Sequence, residues 1–318
     1  EMSKRIFSAA DQVGIALTHL PVHYAHGGFG SQPPLDGQKR FLHSVEDFVS
    51  LVHALQKDCE TLPLVETGMA IHSLRAVSPE MMTETLTAVT DGPVHIHISE
   101  QLREVDQCLD WSGQRPIELL YNNNDLDDRW CLVHATHMTD AETTCLATSG
   151  AVAGLCPSTE ANLGDGLFPL PAYLAQSGAL GIGSDSNTSI DAADELRLLE
   201  YGQRLVTQSR NVAAVEENTS TGASLLQAAL SGGAQALAQP IGALTPEKRA
   251  DFLVLDATHP ALVGRSRDAI LDSWIFAGGR NVISDVYVGG RQVLANGRHV
   301  DEERIAIRYR ETIAGLLG

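Results

Sequence analysis

As far as Asp185, short apolar runs rich in β-branched residues alternate with longer stretches whose apolar positions recur at helical spacing. The short runs cover residues 13–20, 62–65, 94–98, 130–133, 151–155 and 179–182. Between them, residues 45–56, 79–90, 101–111 with 117–122, 140–147 and 170–177 carry the helical pattern. This alternation predicts parallel strands joined by crossover helices, and the near-continuous apolar runs fit a sheet buried on both faces. The count is six strand–helix units, whereas a closed parallel barrel has eight. Two architectures fit: an open doubly wound sheet, or a barrel whose first two units are not in this chain. No strand–GxGxxG–helix run supports a dinucleotide fold. Polar residues recur just after the strands, at His19, His72, His97, His134 and Asp185, where barrels place their chemistry. The expectation is therefore a (β/α)8 TIM-like barrel lacking its first two units, over residues 1–240.

Helical patterns continue over residues 192–207 and 220–237. From Gly242 the texture changes to short strands, at 282–288 and 291–295, punctuated by Gly289-Gly290 and Asn296-Gly297 as in a hairpin. Residues 241–318 are expected to form a small β-rich domain, a β-sandwich portion closed by a helix at 302–316.

Composition narrows the function classes. A net charge of −18 argues against nucleic-acid binding, which needs clustered Lys and Arg. No apolar run approaches the ~20 residues that span a bilayer, and residues 1–5 have no signal-peptide architecture. Five cysteines without CxxC spacing speak for reduced thiols rather than a disulfide framework, which fits a cytoplasmic protein.

Three strand ends carry the candidate chemistry. In Val94-His95-Ile96-His97-Ile98-Ser99-Glu100, two imidazoles on one strand face stand near a carboxylate, a set that suits zinc. His134 closes a buried strand, where it needs a partner: a metal, or a metal-activated water toward which it acts as a base. His137, in the loop beyond, reads as a solvated or capping residue. Asp185 closes the glycine-spaced run of strand 179–182, and a carboxylate there is costly to bury unless it meets a cation or donors.

The order strand–His–x–x–Glu, strand–His, strand–Asp resembles the amidohydrolase superfamily of metal-dependent hydrolases and deaminases. The resemblance makes His97, His134 and Asp185 the residues of strands five, six and eight, and run 13–20 strand three. An HxH pair from strand one then lies outside this chain, which is expected to be a fragment or to be completed by another segment. Binuclear members carry a bridging carboxylated lysine after strand four; residues 62–75 contain no lysine, so one metal is implied. Ile71-His72-Ser73-Leu74-Arg75-Ala76-Val77, with Leu20-Pro21-Val22-His23-Tyr24 and the His97–Glu100 segment, is similar to the formimidoylglutamate deiminases of histidine degradation. That resemblance implies Zn2+ held by His97 and Asp185 together with the absent HxH pair. It also implies His134 as base, Glu100 as proton shuttle, Asp185 as orienting group, His72 and Arg75 on the glutamyl part of a small-molecule substrate, and a homodimer. The alternatives are another mononuclear deaminase acting on a guanine- or triazine-like ring, and a non-catalytic truncated protein.

Overall fold

The computed structural model describes residues 1–214 and 219–318. Helix α1 (Met2–Val13) stops at Gly14, whose φ of 79° lets its N–H close on the Ala10 and Asp11 carbonyls. The apolar run expected as one strand over 13–20 therefore begins as a helix end. It continues as two short strands, β1 (Leu17–His19) and β2 (Val22–His23), separated at Leu20-Pro21. Helix α2 (Val45–Cys59) follows, capped by the Ser44 hydroxyl, which accepts from the Asp47 N–H. The second run also differs from expectation. Residues 63–64 turn, and the strand comes later as β3 (Val65–Thr67) and β4 (Met69–Ile71). The break between them is Gly68, where any Cβ would lie 2.2 Å from the Pro93 carbonyl oxygen.

Apart from one seven-residue helix after the seventh strand, the remaining units follow the periodicity. They are α3 (Pro79–Ala88), β5 (Val94–Ile98), α4 (Leu102–Ser112), α5 (Pro116–Asn123), β6 (Trp130–His134), α6 (Asp140–Ser149) and β7 (Val152–Leu155). Then come α7 (Pro157–Leu163), α8 (Leu170–Leu174), β8 (Ala179–Ile182), α9 (Ala192–Thr207) and α10 (Thr221–Ala236). Strands β2-β4-β5-β6-β7-β8 form one parallel sheet in chain order, and β1 pairs with β3 in parallel beyond the kinks. Among the described residues the edge strands β2 and β8 do not pair with each other. Ile71, Ile96, Ile98, Leu132, Leu155 and Leu180 are buried in a single large core, each contributing about 1.5–3 kcal/mol relative to exposure.

Helix α10 closes the end of the sheet opposite the chemistry. Gly232 rides directly on the Leu180 backbone of β8: a Cβ there would sit 2.0 Å from the Leu180 carbonyl oxygen. At its C-terminal end the Gln235 amide donates to the Asp128 and Gly150 carbonyls, and the Ala236 and Leu237 carbonyls accept from His95 Nε2 and Thr18 Oγ1. Each of these partners lies at or just before the start of a strand. The strand ends bearing His97 and His134 consequently face the other way.

The chain finishes with β9 (Phe252–Leu255), α11 (Asp268–Ser273), β10 (Ile283–Val288), β11 (Arg291–Ala295), β12 (Arg298–His299) and α12 (Glu302–Leu317). The four strands make one antiparallel sheet in the order β12-β11-β10-β9. The hairpin expected around Gly289-Gly290 is its centre. Leu262, Trp274, Ile275 and Val282 join the core of the parallel sheet, and His299 Nε2 donates to the Val13 carbonyl. No helix among the described residues is long and apolar enough to cross a membrane. All five cysteines are free thiols.

Candidate active site

Strand β5 aims two histidines along one face, and the structure sends them to different places. His95 is drawn to the closed end, its Nε2–H donating 2.8 Å to the Ala236 carbonyl. His97, two residues on, reaches the open end. Its Nδ1 lies 2.8 Å from the His72 carbonyl, which can only accept, so Nδ1 carries the proton and Nε2 keeps a free lone pair. The expectation of two imidazoles beside one carboxylate therefore reduces here to one. His19 is also spent elsewhere, bonded to the Ser3 hydroxyl and packed edge-on against Phe7. His137 is structural, with Nε2 donating to the Asp165 carbonyl and its own carbonyl accepting from Arg115.

His134 is the centre of the cluster. It is 1% exposed, and its ring stacks on that of His97 with centroids 5.8 Å apart. Its Nε2 stands 3.9 Å from Glu100 Oε1 and 3.9 Å from Asp185 Oδ2, while Nδ1 is 3.3 Å from Glu160 Oε1. Burial pulls the imidazole toward its neutral form. The hydrogen bond to Glu160 and the charges of Glu100, Glu160 and Asp185 outweigh that and hold it above its ordinary value. The sequence-predicted His97, Glu100, His134 and Asp185 thus meet in space. Four residues around the site adopt left-handed backbone without being glycine: Ser99 (φ 51°), His134 (φ 70°), Ala135 (φ 47°) and Asp185 (φ 54°). Strain of about 1–3 kcal/mol per residue, gathered at strand ends, is the usual mark of a site whose side-chain aim matters more than stability.

The turn that presents Glu100 is held from α4. Glu104, buried and one turn into the helix, accepts the Glu100 N–H at 3.0 Å. Burial pushes its carboxyl up, offset in part by the charge of Arg75. His72 packs edge-on against Tyr24 at 4.6 Å and lies 5.3 Å from His97. Burial, then the neighbouring His97 and Arg75, push it down to about 4, so it is neutral at physiological pH. Arg75 lines a cleft of about 640 Å3 with Gln101, Arg103, Glu104 and Trp111. Its Nε is buried without a partner. His97, His134 and Asp185 do not line that cleft, which lies on the α4 side of Glu100.

A model of the amidohydrolase family matches residues 9–293. The chain belongs to the amidohydrolase family. It is 51% identical over all 318 residues to the formimidoylglutamate deiminase of Pseudomonas aeruginosa, spanning 70% of that protein. It is also 31% identical over 220 residues to a 5-methylthioadenosine/S-adenosylhomocysteine deaminase of Nitratidesulfovibrio vulgaris, covering 67% of this chain and 48% of that protein. Among solved structures, an amidohydrolase from Brucella melitensis superposes with a TM-score of 0.94 at 43% identity, over 100% of this chain and 70% of its own. An adenosine deaminase from Xanthomonas campestris (TM-score 0.80, 24% identity, 97% of this chain and 68% of that one) shares the fold.

In this amidohydrolase one site residue was not legible beforehand. Glu160 sits on α7, a seven-residue helix opening with Pro157 directly after β7, and is 4% exposed. The available signal was a carboxylate in the first turn of a helix that follows a buried strand without a linker. His134, Cys156 and Glu160 each offer an atom within 4.8 Å of the others, the only such trio among the described residues. Burial pushes the Cys156 thiol up, keeping it protonated, and Glu160 Oε1 already accepts the Cys156 N–H at 2.8 Å. The trio is a hydrogen-bonded group.

Proposed function

We propose that this protein hydrolyses N-formimidoyl-L-glutamate to N-formyl-L-glutamate and ammonia, a step of histidine degradation, using one zinc ion. The observation that carries this reading is the identity of 51% over the whole chain with the Pseudomonas deiminase. The donor set supports the metal. His97 keeps Nε2 free by spending Nδ1 on a carbonyl, and the Asp185 carboxylate accepts no hydrogen bond among the described residues. These two would hold zinc, for which nitrogen and carboxylate oxygen are ordinary ligands. Two ligands fall short of the three that catalytic zinc ordinarily takes, and the family resemblance supplies a further histidine pair, with the parallel sheet representing strands three to eight of the barrel. When bound, the ion supplies a water activated for attack at neutral pH.

The chain's own groups do the rest. His134 accepts the proton of the attacking water, and Asp185, 3.9 Å from its Nε2, helps orient that water. The water oxygen bonds to the formimidoyl carbon, Glu100 carries the water's second proton to the terminal nitrogen, His134 returns the first, and the bond from the carbon to that nitrogen breaks as ammonia leaves. Arg75 and the neutral His72 hold the glutamyl part; a guanidinium grips a carboxylate bidentately, and the unpartnered Arg75 Nε fits that use. The family resemblance adds a homodimer in the cytoplasm.

A second reading, a deaminase of a flat ring, has support in the relative that deaminates 5-methylthioadenosine and S-adenosylhomocysteine. Arg75, whose Nε is buried without a partner, favours the dicarboxylate. Zinc-loaded protein expressed from its full reading frame is assayed for ammonia release from N-formimidoyl-L-glutamate, guanine, a triazine and S-adenosylhomocysteine. Turnover of the first alone supports the proposal. Turnover of a ring and none of the first sinks it, and a folded protein that takes up no metal points to a non-catalytic role.

A further inference from the structure

We propose that Glu160 is the positioning residue for His134, fixing its ring as the Nδ1–H tautomer so that Nε2 turns a lone pair toward the reacting water. The two ring nitrogens have different surroundings. Nδ1 faces Glu160 Oε1 at 3.3 Å, and Nε2 faces open chemistry between Glu100 and Asp185, 3.9 Å from each. Glu160 is itself held from outside the pair. The same oxygen accepts the Cys156 N–H at 2.8 Å across the first turn of α7, and the side chain is enclosed, so its position does not depend on His134. A carboxylate oxygen only accepts, hence the imidazole nitrogen in front of it must carry a proton. The other tautomer would set the Nδ1 lone pair against a buried carboxylate and leave that carboxylate one donor short. Neutral His134 with Nδ1 protonated is left with one acceptor, Nε2, on the side where a base is needed. The catalytic consequence rests on the reading of His134 as the base; the tautomer itself does not.

The test reads the ring directly. In the zinc-loaded protein, labelled with nitrogen-15, long-range proton–nitrogen spectra at alkaline pH, where histidine rings are neutral, report which nitrogen bears the proton. The His134→Gln difference spectrum assigns the signals. The expected result is a protonated Nδ1 and a bare Nε2. A bare Nδ1 with a protonated Nε2, or an Nδ1 shift typical of a metal-bound nitrogen, overturns the proposal. Two variants separate positioning from packing. Glu160→Gln keeps an oxygen that the Cys156 N–H, a donor only, holds in place before Nδ1, and is expected to keep the tautomer and kcat within about tenfold. Glu160→Leu removes the acceptor and is expected to mix the tautomers and lower kcat about 100- to 1,000-fold, the scale of a misdirected general base, with KM within about threefold. Equal losses in both variants with an unchanged tautomer would show a packing role and refute the inference. Should the leucine variant not fold, the wild-type spectrum and the glutamine variant decide alone. The expected tautomer in a protein that releases no ammonia would refute the deiminase reading and support the assignment of Glu160.

Discussion

Replacing Gly232 by alanine would place a methyl carbon 2.0 Å from the Leu180 carbonyl oxygen and 2.5 Å from its carbonyl carbon, both backbone atoms of β8. Neither can rotate away, so α10 must retreat from the sheet by about 1 Å to restore van der Waals contact, in an interior packed near crystal density. Overpacking of this kind costs about 1–3 kcal/mol, against a gain of about 0.5–1 kcal/mol from replacing a mid-helix glycine. The net expectation for Gly232→Ala is a loss of about 1–2 kcal/mol, more if the strand is displaced. The next residue supplies the control, because a Cβ on Gly233 meets nothing within 4 Å. Gly233→Ala should collect the helix gain alone and stabilise by about 0.5–1 kcal/mol. Urea unfolding followed by circular dichroism measures both, and the two midpoints should move in opposite directions at unchanged slope. If both variants shift the same way, or Gly232→Ala unfolds no earlier than the wild type, the close seat of α10 on β8 is wrong.

Further outcomes follow from the site and its surroundings. His23 is fully buried, stacked on Phe48 at 4.7 Å and bonded through Nδ1 to the Thr85 hydroxyl. Burial, with the charge of His43 next, pushes it from 6.5 down to about 4. The unfolded chain takes up this proton below pH 6.5 and the folded one does not, so stability falls as pH drops from 6.5 toward 4, by about 2 kcal/mol at pH 5. Urea titrations at pH 7 and pH 5 should show that His23→Gln has lost this portion of the pH dependence. Arg75→Met is expected to raise KM for N-formimidoyl-L-glutamate about 10- to 100-fold with a smaller change in kcat, through loss of a bidentate partner; an unchanged KM would remove Arg75 from the binding site. Glu104→Ala leaves the Glu100 N–H without its acceptor and should cost about 1–3 kcal/mol in chemical unfolding. It should also lower kcat, because the turn that aims Glu100 loosens.

Much of the catalytic end could be read in advance because its strands are uninterrupted. β5 and β8 fall on the apolar runs at 94–98 and 179–182, and His97, His134 and Asp185 stand at the strand ends where they meet. The first two strands were less legible. Helix α1 extends into the apolar run as far as Val13, and Leu20-Pro21 and Gly68 break each strand into two pieces. The partition of His95 from His97 could not be read from alternation, since both share a face of β5; the Ala236 carbonyl, 141 residues away, decides it. Glu160 was hidden because α7 has only seven residues, too few for a helical period to show, and begins at a proline that reads as a loop. The left-handed turns at His134 and Asp185 carry no glycine to announce them. Their strain is set by where the side chains have to point, a tertiary demand that local propensity does not encode.

The account rests on His97, Glu100, His134 and Asp185 acting together as a hydrolytic deaminase site. Ammonia release from N-formimidoyl-L-glutamate, measured for zinc-loaded protein from the full reading frame and for its Glu100→Gln variant at equal zinc content and equal folded fraction, tests this most directly. Steady turnover by the parent and a loss of at least about 100-fold in kcat for the variant, the usual scale for removing a proton-transfer group, is the predicted result. Equal turnover by the two proteins, or none by the parent, would contradict it.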